Sequence, residues 1–339
     1  MLEVRNLTKE YRIYEEESGI HLFRKKKMIT ALDNISFTVP ENRNVGILGM
    51  NGAGKSTLIK LLCGIISPTR GEIWVDSKYR PFEKKREYLK KISLVSGNKT
   101  QLNYDLSARD NFRFLGALYG IDRKSVDKKA EELAGCLGAC RLVDRQVRKM
   151  SFGERLKMEV IAALLHDPKY IFMDEPTIGL DVRTQEQLRK FLRNYNNGSR
   201  ILFLTSHNLD DISTVCDDIL FIDKRKIDYY GSLSDFCSSY SAVSRIELTV
   251  KESDREKIYA FLKKTECLTS CALTEGHLSF EVSKNKQVEI LNRILGNLGE
   301  SILYFDTASA DVSAVLREKM MEEKTDGDRV ISHKKSVQV

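Results

Sequence analysis

Residues 49–57 read GMNGAGKST, and this stretch decides the fold. It lies between a short apolar run, VGIL at 45–48, and a helix-like run, TLIKLLCGI at 57–65. Gly49, Gly52 and Gly54 let backbone N–H groups converge on phosphates, while Lys55 supplies a cation and Ser56 a hydroxyl for Mg²⁺. A glycine turn without a ligand is the alternative, but it needs neither the lysine nor the hydroxyl. The stretch therefore predicts a nucleoside triphosphate site.

The candidate phosphate-binding residues all fall within or beside the glycine loop. They are Gly49, Asn51, Gly52, Gly54, Lys55, Ser56 and Thr57.

The composition sets the broad class. The chain has 339 residues, of which 42% are hydrophobic and 30% charged, and this predicts a globular protein of two domains. No apolar run approaches the about 18 residues that span a bilayer, and the opening MLEVRNL lacks an export signal, so we expect a cytosolic chain. The seven cysteines predict reduced, mostly buried thiols, with a metal or redox role for the pairs 136/140 and 267/271 as the alternative.

The net charge of +7 is concentrated in FRKKK at 23–27 and HKK at 333–335. Such runs are usually solvated loops or tails. The alternative for residues 21–28 is attraction to anionic lipid headgroups, worth about 1 kcal/mol for each basic residue near the surface.

Five apolar runs predict strands that are buried on both faces of a parallel sheet. They are VGIL (45–48), ISLV (92–95), YIFM (170–173), ILFLT (201–205) and DILFI (218–222). Helical stretches separate most of them, as an α/β sheet requires. A long insertion at about 105–168, with amphipathic segments, predicts a helical subdomain.

An acidic pair follows the third of these runs, in YIFMDEP. Asp174 at the strand end is a candidate to hold Mg²⁺, and Glu175 a candidate to polarise the attacking water. Two acidic residues in a turn before a proline are the alternative. Together with the glycine loop, the pair predicts a nucleotide-hydrolysing site.

Five motifs in order resemble those of the ATP-binding subunits of ABC transporters. They are GMNGAGKST, SFGER (151–155), YIFMDEP, TIGLD (177–181) and LTSHN (204–208), and the resemblance covers residues 1–235. It implies a P-loop NTPase sheet with an N-terminal antiparallel β subdomain and the inserted helical subdomain. It also implies that two nucleotide-binding domains, this chain with itself or with a related subunit, close head to tail on two ATP molecules with Mg²⁺.

The resemblance assigns roles to three further residues. Tyr11 in KEYR resembles the aromatic that stacks on adenine, and Asp181 resembles the residue that communicates across the dimer. His207 resembles the switch residue that contacts the γ-phosphate. A surface aromatic and a loop histidine are the alternatives for Tyr11 and His207.

The signature segment departs from the family pattern, because it reads MSFGER where LSGGQR is expected. Ser151 and Gly153 keep the hydroxyl and the backbone N–H that would face the partner's γ-phosphate. Phe152 adds bulk and Glu154 adds a negative charge. Ser151 with Glu154 also fits a capping box, a local device that starts a helix.

A second departure follows the ISLV strand, where the family has a glutamine that touches Mg²⁺ and relays the nucleotide state to the membrane subunit. The best-matched residue here is Asn98, one methylene shorter, and Gln101 is a substitute candidate.

The region after about residue 238 changes character. Residues 239–323 alternate strand-like and helix-like stretches in the order β-α-β-β-α-β, which predicts a small ferredoxin-like α+β domain. Residues 324–339 predict a disordered basic tail.

We therefore expect an ATP-hydrolysing subunit that energises export through a separate transmembrane permease. It would lie peripherally on the cytoplasmic face of the cell membrane and bind no nucleic acid. One alternative is a soluble ABC-type ATPase that acts on a ribosomal, nucleic-acid or protein complex. Another is a nucleotide-dependent binding module with negligible turnover.

Overall fold

The structure is a computed structural model of the 339-residue chain. It describes residues 1–15, 25–83, 85–97, 100–196, 198–240, 243–254, 256, 258–260, 268–274, 277–283, 286–298 and 301–308.

The chain divides into two compact units, Met1–Ser232 and Leu233–Val339. The sequence suggests a boundary after residue 238, whereas the structure divides the chain earlier. The reason is local, because residues 233–240 form one continuous helix that belongs to the second unit.

The first unit contains nine strands and seven α-helices among its described residues. In chain order they are β1 (Leu2–Glu15), β2 (Lys25–Val39), β3 (Arg43–Leu48), α1 (Lys55–Leu62), β4 (Arg70–Val75), α2 (Lys85–Leu89), β5 (Ile92–Ser96), α3 (Ala108–Tyr119), α4 (Arg123–Cys136), α5 (Phe152–Leu164), β6 (Tyr170–Asp174), α6 (Val182–Tyr195), β7 (Ile201–Thr205), α7 (Leu209–Val215), β8 (Asp218–Asp223) and β9 (Lys226–Ser232), with 3-10 helices Cys140–Leu142 and Val147–Lys149.

A six-stranded sheet forms the centre of this unit, in the order β5-β6-β7-β3-β8-β9. Its strands are parallel except β9, which runs antiparallel to β8. Each of the five predicted apolar runs lies in one of the parallel strands. Every residue of β7 is buried, and the rings of Phe172 and Phe203 stack between β6 and β7 with centroids 5.3 Å apart. Burial on both faces explains why these runs are continuous rather than alternating.

A second sheet confirms the predicted N-terminal antiparallel subdomain. Its order is β2-β1-β4, and both pairings are antiparallel. Buried apolar side chains of β1, such as Leu2 and Val4, share one core with Leu58 of α1 and Phe172 of β6. The antiparallel sheet is therefore joined to the central sheet through a common hydrophobic core.

The predicted helical subdomain is also present, since α3, α4 and α5 all lie between β5 and β6. Polar caps start each helix. The side chains of Ser107, Asp122 and Ser151 accept hydrogen bonds from backbone N–H groups in the first turns of α3, α4 and α5.

The second unit contains α8 (Leu233–Tyr240), β10 (Val243–Val250), the 3-10 helix Glu252–Asp254, β11 (Leu268–Thr274), β12 (His277–Ser283), α9 (Gln287–Leu298) and β13 (Ile302–Ala308). Residues 258–260 are helical. The sheet order is β11-β12-β10-β13 and all pairings are antiparallel. From β10 onward the elements follow the β-α-β-β-α-β order that the sequence predicts.

The predicted basic tail, 324–339, lies outside the described residues. Within the described part of the chain, none of the helices is long and apolar enough to cross a membrane.

Candidate nucleotide-hydrolysis site

The register of the central sheet brings the predicted residues to one edge. Ile47 of β3 pairs with Thr205 of β7, and Thr205 pairs with Asp174 of β6. The carboxyl ends of these three parallel strands therefore lie side by side at one edge of the sheet. The glycine loop follows β3, Glu175 follows β6, and His207 follows β7.

The glycine loop has a backbone that other residues could not adopt. Gly49 and Gly54 have φ of 143° and 112°. An added Cβ would lie 2.2 Å from the Ile222 carbonyl oxygen at Gly49, and 2.6 Å from the Ala31 carbonyl oxygen at Gly54. These glycines are thus required by close backbone approach within the chain.

Lys55 begins α1 and is 9% exposed. Its Nζ donates hydrogen bonds to the carbonyl oxygens of Gly49, at 2.6 Å, and Met50, at 3.1 Å. Ser56 and Thr57 follow in the first turn, where helix N–H groups and the helix dipole favour an anion. The lysine ammonium therefore lies inside the loop that would surround the phosphates.

Thr205 fixes the acidic strand end. Its Oγ1 donates to Oδ1 of Asp174 at 2.7 Å and accepts from the backbone N–H of Glu175 at 3.1 Å. The side chain is fully buried. The sequence analysis missed this residue, although a threonine that ends a buried run beside the acidic strand is the available signal.

Glu175 and His207 are in contact. The backbone N–H of His207 donates to Oε2 of Glu175 at 3.1 Å, and Nε2 of His207 lies 3.2 Å from Oε1. Glu175 has φ of 55°, a left-handed conformation that is strained for a residue with a side chain. A Cβ at Gly97 would lie 2.3 Å from the Glu175 carbonyl oxygen, so this glycine permits the turn. The two predicted catalytic residues thus form one unit.

The donor set at this edge fits Mg²⁺. The Ser56 hydroxyl and the Asp174 carboxylate are oxygen ligands of the kind that this ion prefers. The third predicted ligand, Asn98, lies outside the described residues. The amide Nε2 of the substitute candidate, Gln101, donates a hydrogen bond to the Leu94 carbonyl oxygen of β5 at 2.8 Å. This hydrogen bond holds the Gln101 side chain against β5.

Comparison with known proteins decides the family. The family model "ABC transporter" matches residues 32–178. The ABC transporter ATP-binding protein NatA of Bacillus subtilis is 31% identical over 215 residues, which are 63% of this chain and 87% of that protein. The chain belongs to the ABC transporter ATP-binding proteins.

Two further likenesses extend the match. The linearmycin resistance ATP-binding protein LnrL of Bacillus subtilis is 27% identical over 266 residues, covering 78% of this chain and 85% of that protein. The dimeric structure of a bacterial ABC transporter cassette superposes with a TM-score of 0.59 at 22% identity, over 68% of this chain and 98% of that chain. This ABC ATP-binding protein is an ATPase with the P-loop NTPase fold.

The signature segment of this ABC ATPase starts α5. Ser151 accepts a hydrogen bond from Glu154 N at 3.2 Å, and Ser151 N donates to Glu154 Oε2 at 2.8 Å. The capping box that the sequence suggests is therefore formed. Glu154 also lies 3.3 Å from the Arg145 guanidinium. Ser151 and Glu154 thus find hydrogen-bond partners in each other.

Phe152 and Gly153 lie beside the TIGLD segment. A Cβ on Gly179 would be 3.4 Å from the Phe152 ring, and one on Gly153 would be 3.4 Å from Thr184 Cγ2. Phe152 remains 39% exposed. The two motifs thus form one surface of the protein.

Asp181 starts α6 as its N-cap. Its Oδ2 accepts from the Thr184 hydroxyl at 2.7 Å, and its Oδ1 accepts from Thr184 N at 3.0 Å. These hydrogen bonds hold the pKa of Asp181 below its ordinary value, so the carboxylate is charged at neutral pH.

Tyr11 lies on β1 with 36% of its surface exposed. The Lys9 ammonium lies 5.0 Å from its ring centroid, a cation–π distance. The ring is therefore at the surface of the antiparallel sheet, with Lys9 over one face.

Proposed function

We propose that this ABC ATPase works as a dimer that energises export through a separate membrane permease, on the cytoplasmic face of the membrane. The observation that carries its hydrolytic part is the contact between Glu175 and His207 at the sheet edge that also bears the glycine loop.

Each residue at this edge has a role in hydrolysis. Glu175 accepts a proton from the water whose oxygen attacks the γ-phosphorus, while the bond to the bridging oxygen breaks and ADP leaves. His207 contacts a γ-phosphate oxygen, and the hydrogen bond from its backbone N–H to Oε2 of Glu175 holds it beside the base. Lys55 attracts the outer phosphates, and the N–H groups of the loop bind them.

Ser56 and Asp174 would hold Mg²⁺, with Asn98 as a further candidate ligand. The ion would neutralise the negative charge on the phosphate oxygens. Thr205 holds Asp174 in place through the 2.7 Å hydrogen bond.

The other half of each site would come from a second subunit. Ser151 and Gly153 would face the partner's γ-phosphate, and Asp181 lies on the adjoining surface. Tyr11 would stack on the adenine. ATP must favour the closed dimer over the open one by several kcal/mol to shift the population decisively. The dimer seen for the bacterial cassette of the same fold supports this arrangement.

The relatives support export. LnrL is named for linearmycin resistance, and removal of a toxic compound from a cell is an export task. Cells that lack this chain should become more sensitive to an exported antimicrobial, and Glu175→Gln should fail to restore resistance. Unchanged sensitivity across a panel of antimicrobials would contradict an antimicrobial substrate.

A groove on the first unit suits the permease. A cavity of about 560 Å³ is lined by α2, β5, α3 and α5 and includes Gln101, which follows the segment that the family resemblance links to the membrane subunit. Leu89 and Leu118 line it and are 40% and 67% exposed. Exposed apolar patches of this kind mark partner surfaces.

The decisive experiment is isolation of tagged Glu175→Gln protein with ATP from gently solubilised membranes. We expect a polytopic membrane protein in stoichiometric amount. Leu118→Asp in the same background should lose that protein, whereas Val288→Asp, a control at 71% exposure on α9, should keep it. Recovery of soluble or ribosomal partners alone would contradict the proposal.

The basic segment supports a weaker membrane contact. Lys25–Lys27 open β2, and residues 21–24 lie outside the described residues. Neutralising Arg24 to Lys27 should reduce salt-dependent sedimentation with anionic vesicles. Unchanged sedimentation would remove the lipid contact from the proposal.

A further inference from the structure

A buried carboxylate that belongs to none of the five motifs contacts the two segments that carry Glu175 and His207. Asp211, in the first turn of α7, is 1% exposed. It accepts hydrogen bonds from three side chains: Nε of Arg189 at 2.6 Å, the Thr177 hydroxyl and the Ser206 hydroxyl. All three donors are themselves buried.

Two of the donors belong to the two segments that carry the catalytic residues. Thr177 is two residues after Glu175, and Ser206 immediately precedes His207. Ser206 Oγ also accepts from Asn208 N at 3.0 Å, which fixes the turn after β7. One carboxylate oxygen, Oδ2 of Asp211, thus joins the two segments.

The third donor extends the connection toward Asp181. Arg189 reaches Gln185 Oε1 at 3.4 Å, and Nε2 of Gln185 donates to the carbonyl oxygens of Thr177 and Leu180 at 3.3 Å each. Leu180 directly precedes Asp181. The same cluster therefore supports the backbone of the TIGLD segment.

We infer that Asp211 is a positioning residue that sets the separation of Glu175 and His207, an inference that rests on the proposed hydrolytic roles of those two residues. A buried charge is costly unless every donor around it is in place, so this cluster favours a single arrangement of the two segments. Loss of one donor releases one segment relative to the other.

Thr177 offers the cleanest test because its hydroxyl can be removed with little change of shape. In Thr177→Val, kcat for ATP hydrolysis should fall about 10- to 100-fold, the effect expected of a misplacement of about 1 Å. The KM for ATP should stay within about twofold, since Lys55 and the loop are unchanged. Thr177→Ser retains a hydroxyl and should keep kcat near that of the unchanged protein.

Combining Thr177→Val with His207→Ala distinguishes loss of alignment between Glu175 and His207 from a general loss of structure. In His207→Ala, adding Thr177→Val should lower kcat little further, because the pair to be aligned has already been lost. Arg193→Met is the matched control. Arg193 joins the same helix α6 to Asp217 at 2.5 Å and to the Val215 carbonyl oxygen at 3.2 Å, without touching Thr177 or Ser206. Its kcat should be unchanged, and thermal melting checks that each variant is folded.

The outcomes distinguish this inference from the proposed function. If Glu175→Gln loses turnover while Thr177→Val retains it, Asp211 does not position the pair and the inference is overturned alone. An equal fold-loss from Thr177→Val with and without His207 also overturns it. If Glu175→Gln turns over normally, both the proposed function and the inference fail.

Discussion

The proposed catalytic edge and the signature segment are organised in opposite ways. At the catalytic edge, defined by Asp174, Glu175, Thr205 and His207, each group is held by a residue from another strand or loop. In the signature segment, residues 150–155, Ser151 and Glu154 form a capping box with each other's side chain and backbone N–H within one turn of the helix. Contacts between distant segments therefore hold the residues of the edge in place. The start of α5 is held by contacts within the signature segment itself. This difference is expected if the signature segment acts on a partner's nucleotide.

The largest effect should come from the glycine loop. Lys55→Met removes the cation whose Nζ lies 2.6 Å from the Gly49 carbonyl oxygen, and turnover should fall about 10²- to 10³-fold. ATPase rates and binding of a fluorescent ATP analogue measure this loss. Lys60→Met, an exposed lysine later on α1, is the control and should behave like the unchanged protein. Equal losses in both variants would show that the effect is not specific to the loop.

The next effect belongs to the histidine of the catalytic edge. His207→Ala removes the ring nitrogen 3.2 Å from Glu175, and kcat should fall about 10²-fold because proton transfer and phosphate contact are both impaired. The KM for ATP should change little. If His207→Ala has the same kcat as the unchanged protein in steady-state assays, His207 is a loop histidine without a role in hydrolysis. The contact between His207 and Glu175 would then not explain activity.

A smaller effect should come from the signature segment. Glu154→Gln restores the family residue and keeps an S-x-x-Q cap, so the helix start should survive. Removing one negative charge near an anionic ligand is worth about 1 kcal/mol, or about fivefold tighter binding of ATP by the dimer. Titration of dimer formation with ATP measures it. Weaker dimerisation would show that Glu154 has a favourable contact with the partner.

The smallest effect on activity should come from a cluster that joins the two sheets. Asp76, just after β4, accepts hydrogen bonds from Lys169 Nζ and Tyr170 OH at 2.7 Å and from Lys91 Nζ at 3.1 Å. Partial burial alone would raise the pKa of Asp76, but these hydrogen bonds outweigh it and hold the pKa well below the ordinary value. Asp76→Asn should lower the free energy of unfolding by about 1–2 kcal/mol at pH 7 and leave kcat unchanged.

The stability that Asp76 contributes should depend on pH in a definite direction. Because the pKa is depressed in the folded protein, the stabilisation is complete above the ordinary value of 3.8 and is lost as the pH falls below it. The difference in unfolding free energy between Asp76→Asn and the unchanged protein should therefore narrow from pH 7 to pH 3. Glu83→Gln, in an exposed pair with Arg80, should have little effect at either pH. A difference that stays constant with pH would contradict the role of the carboxylate charge.

Sequence patterns predict the regular part of this molecule well. Each continuous apolar run became a parallel strand, because such runs are stable only where both faces are buried. The glycine loop and the acidic pair stand out in the sequence for a similar reason, since few structures other than a phosphate site need that combination, and their roles stay predictions. The alternation of elements predicted for residues 239–323 likewise agrees with the order of elements along the chain from β10 onward.

The parts that the sequence does not reveal depend on contacts between distant segments. Asp211 belongs to no motif, and Thr205 lies in the LTSHN motif without a role assigned to it; the importance of both follows from strand register and from burial. The boundary between the units after Ser232 likewise depends on tertiary structure, because residues 233–240 form a helix of the second unit. A serine-rich stretch can form a helix when its apolar residues are buried, as Phe236 and Cys237 are.

The most direct test of the central claim is Glu175→Gln, measured in parallel for ATP turnover and for molecular mass with ATP. The substitution keeps the shape of the side chain but removes the base. We predict turnover lower by about 10²-fold or more, together with an ATP-bound species of twice the mass of the monomer. Turnover equal to that of the unchanged protein would contradict the account, and a monomer at saturating ATP would contradict pairing of this chain with itself.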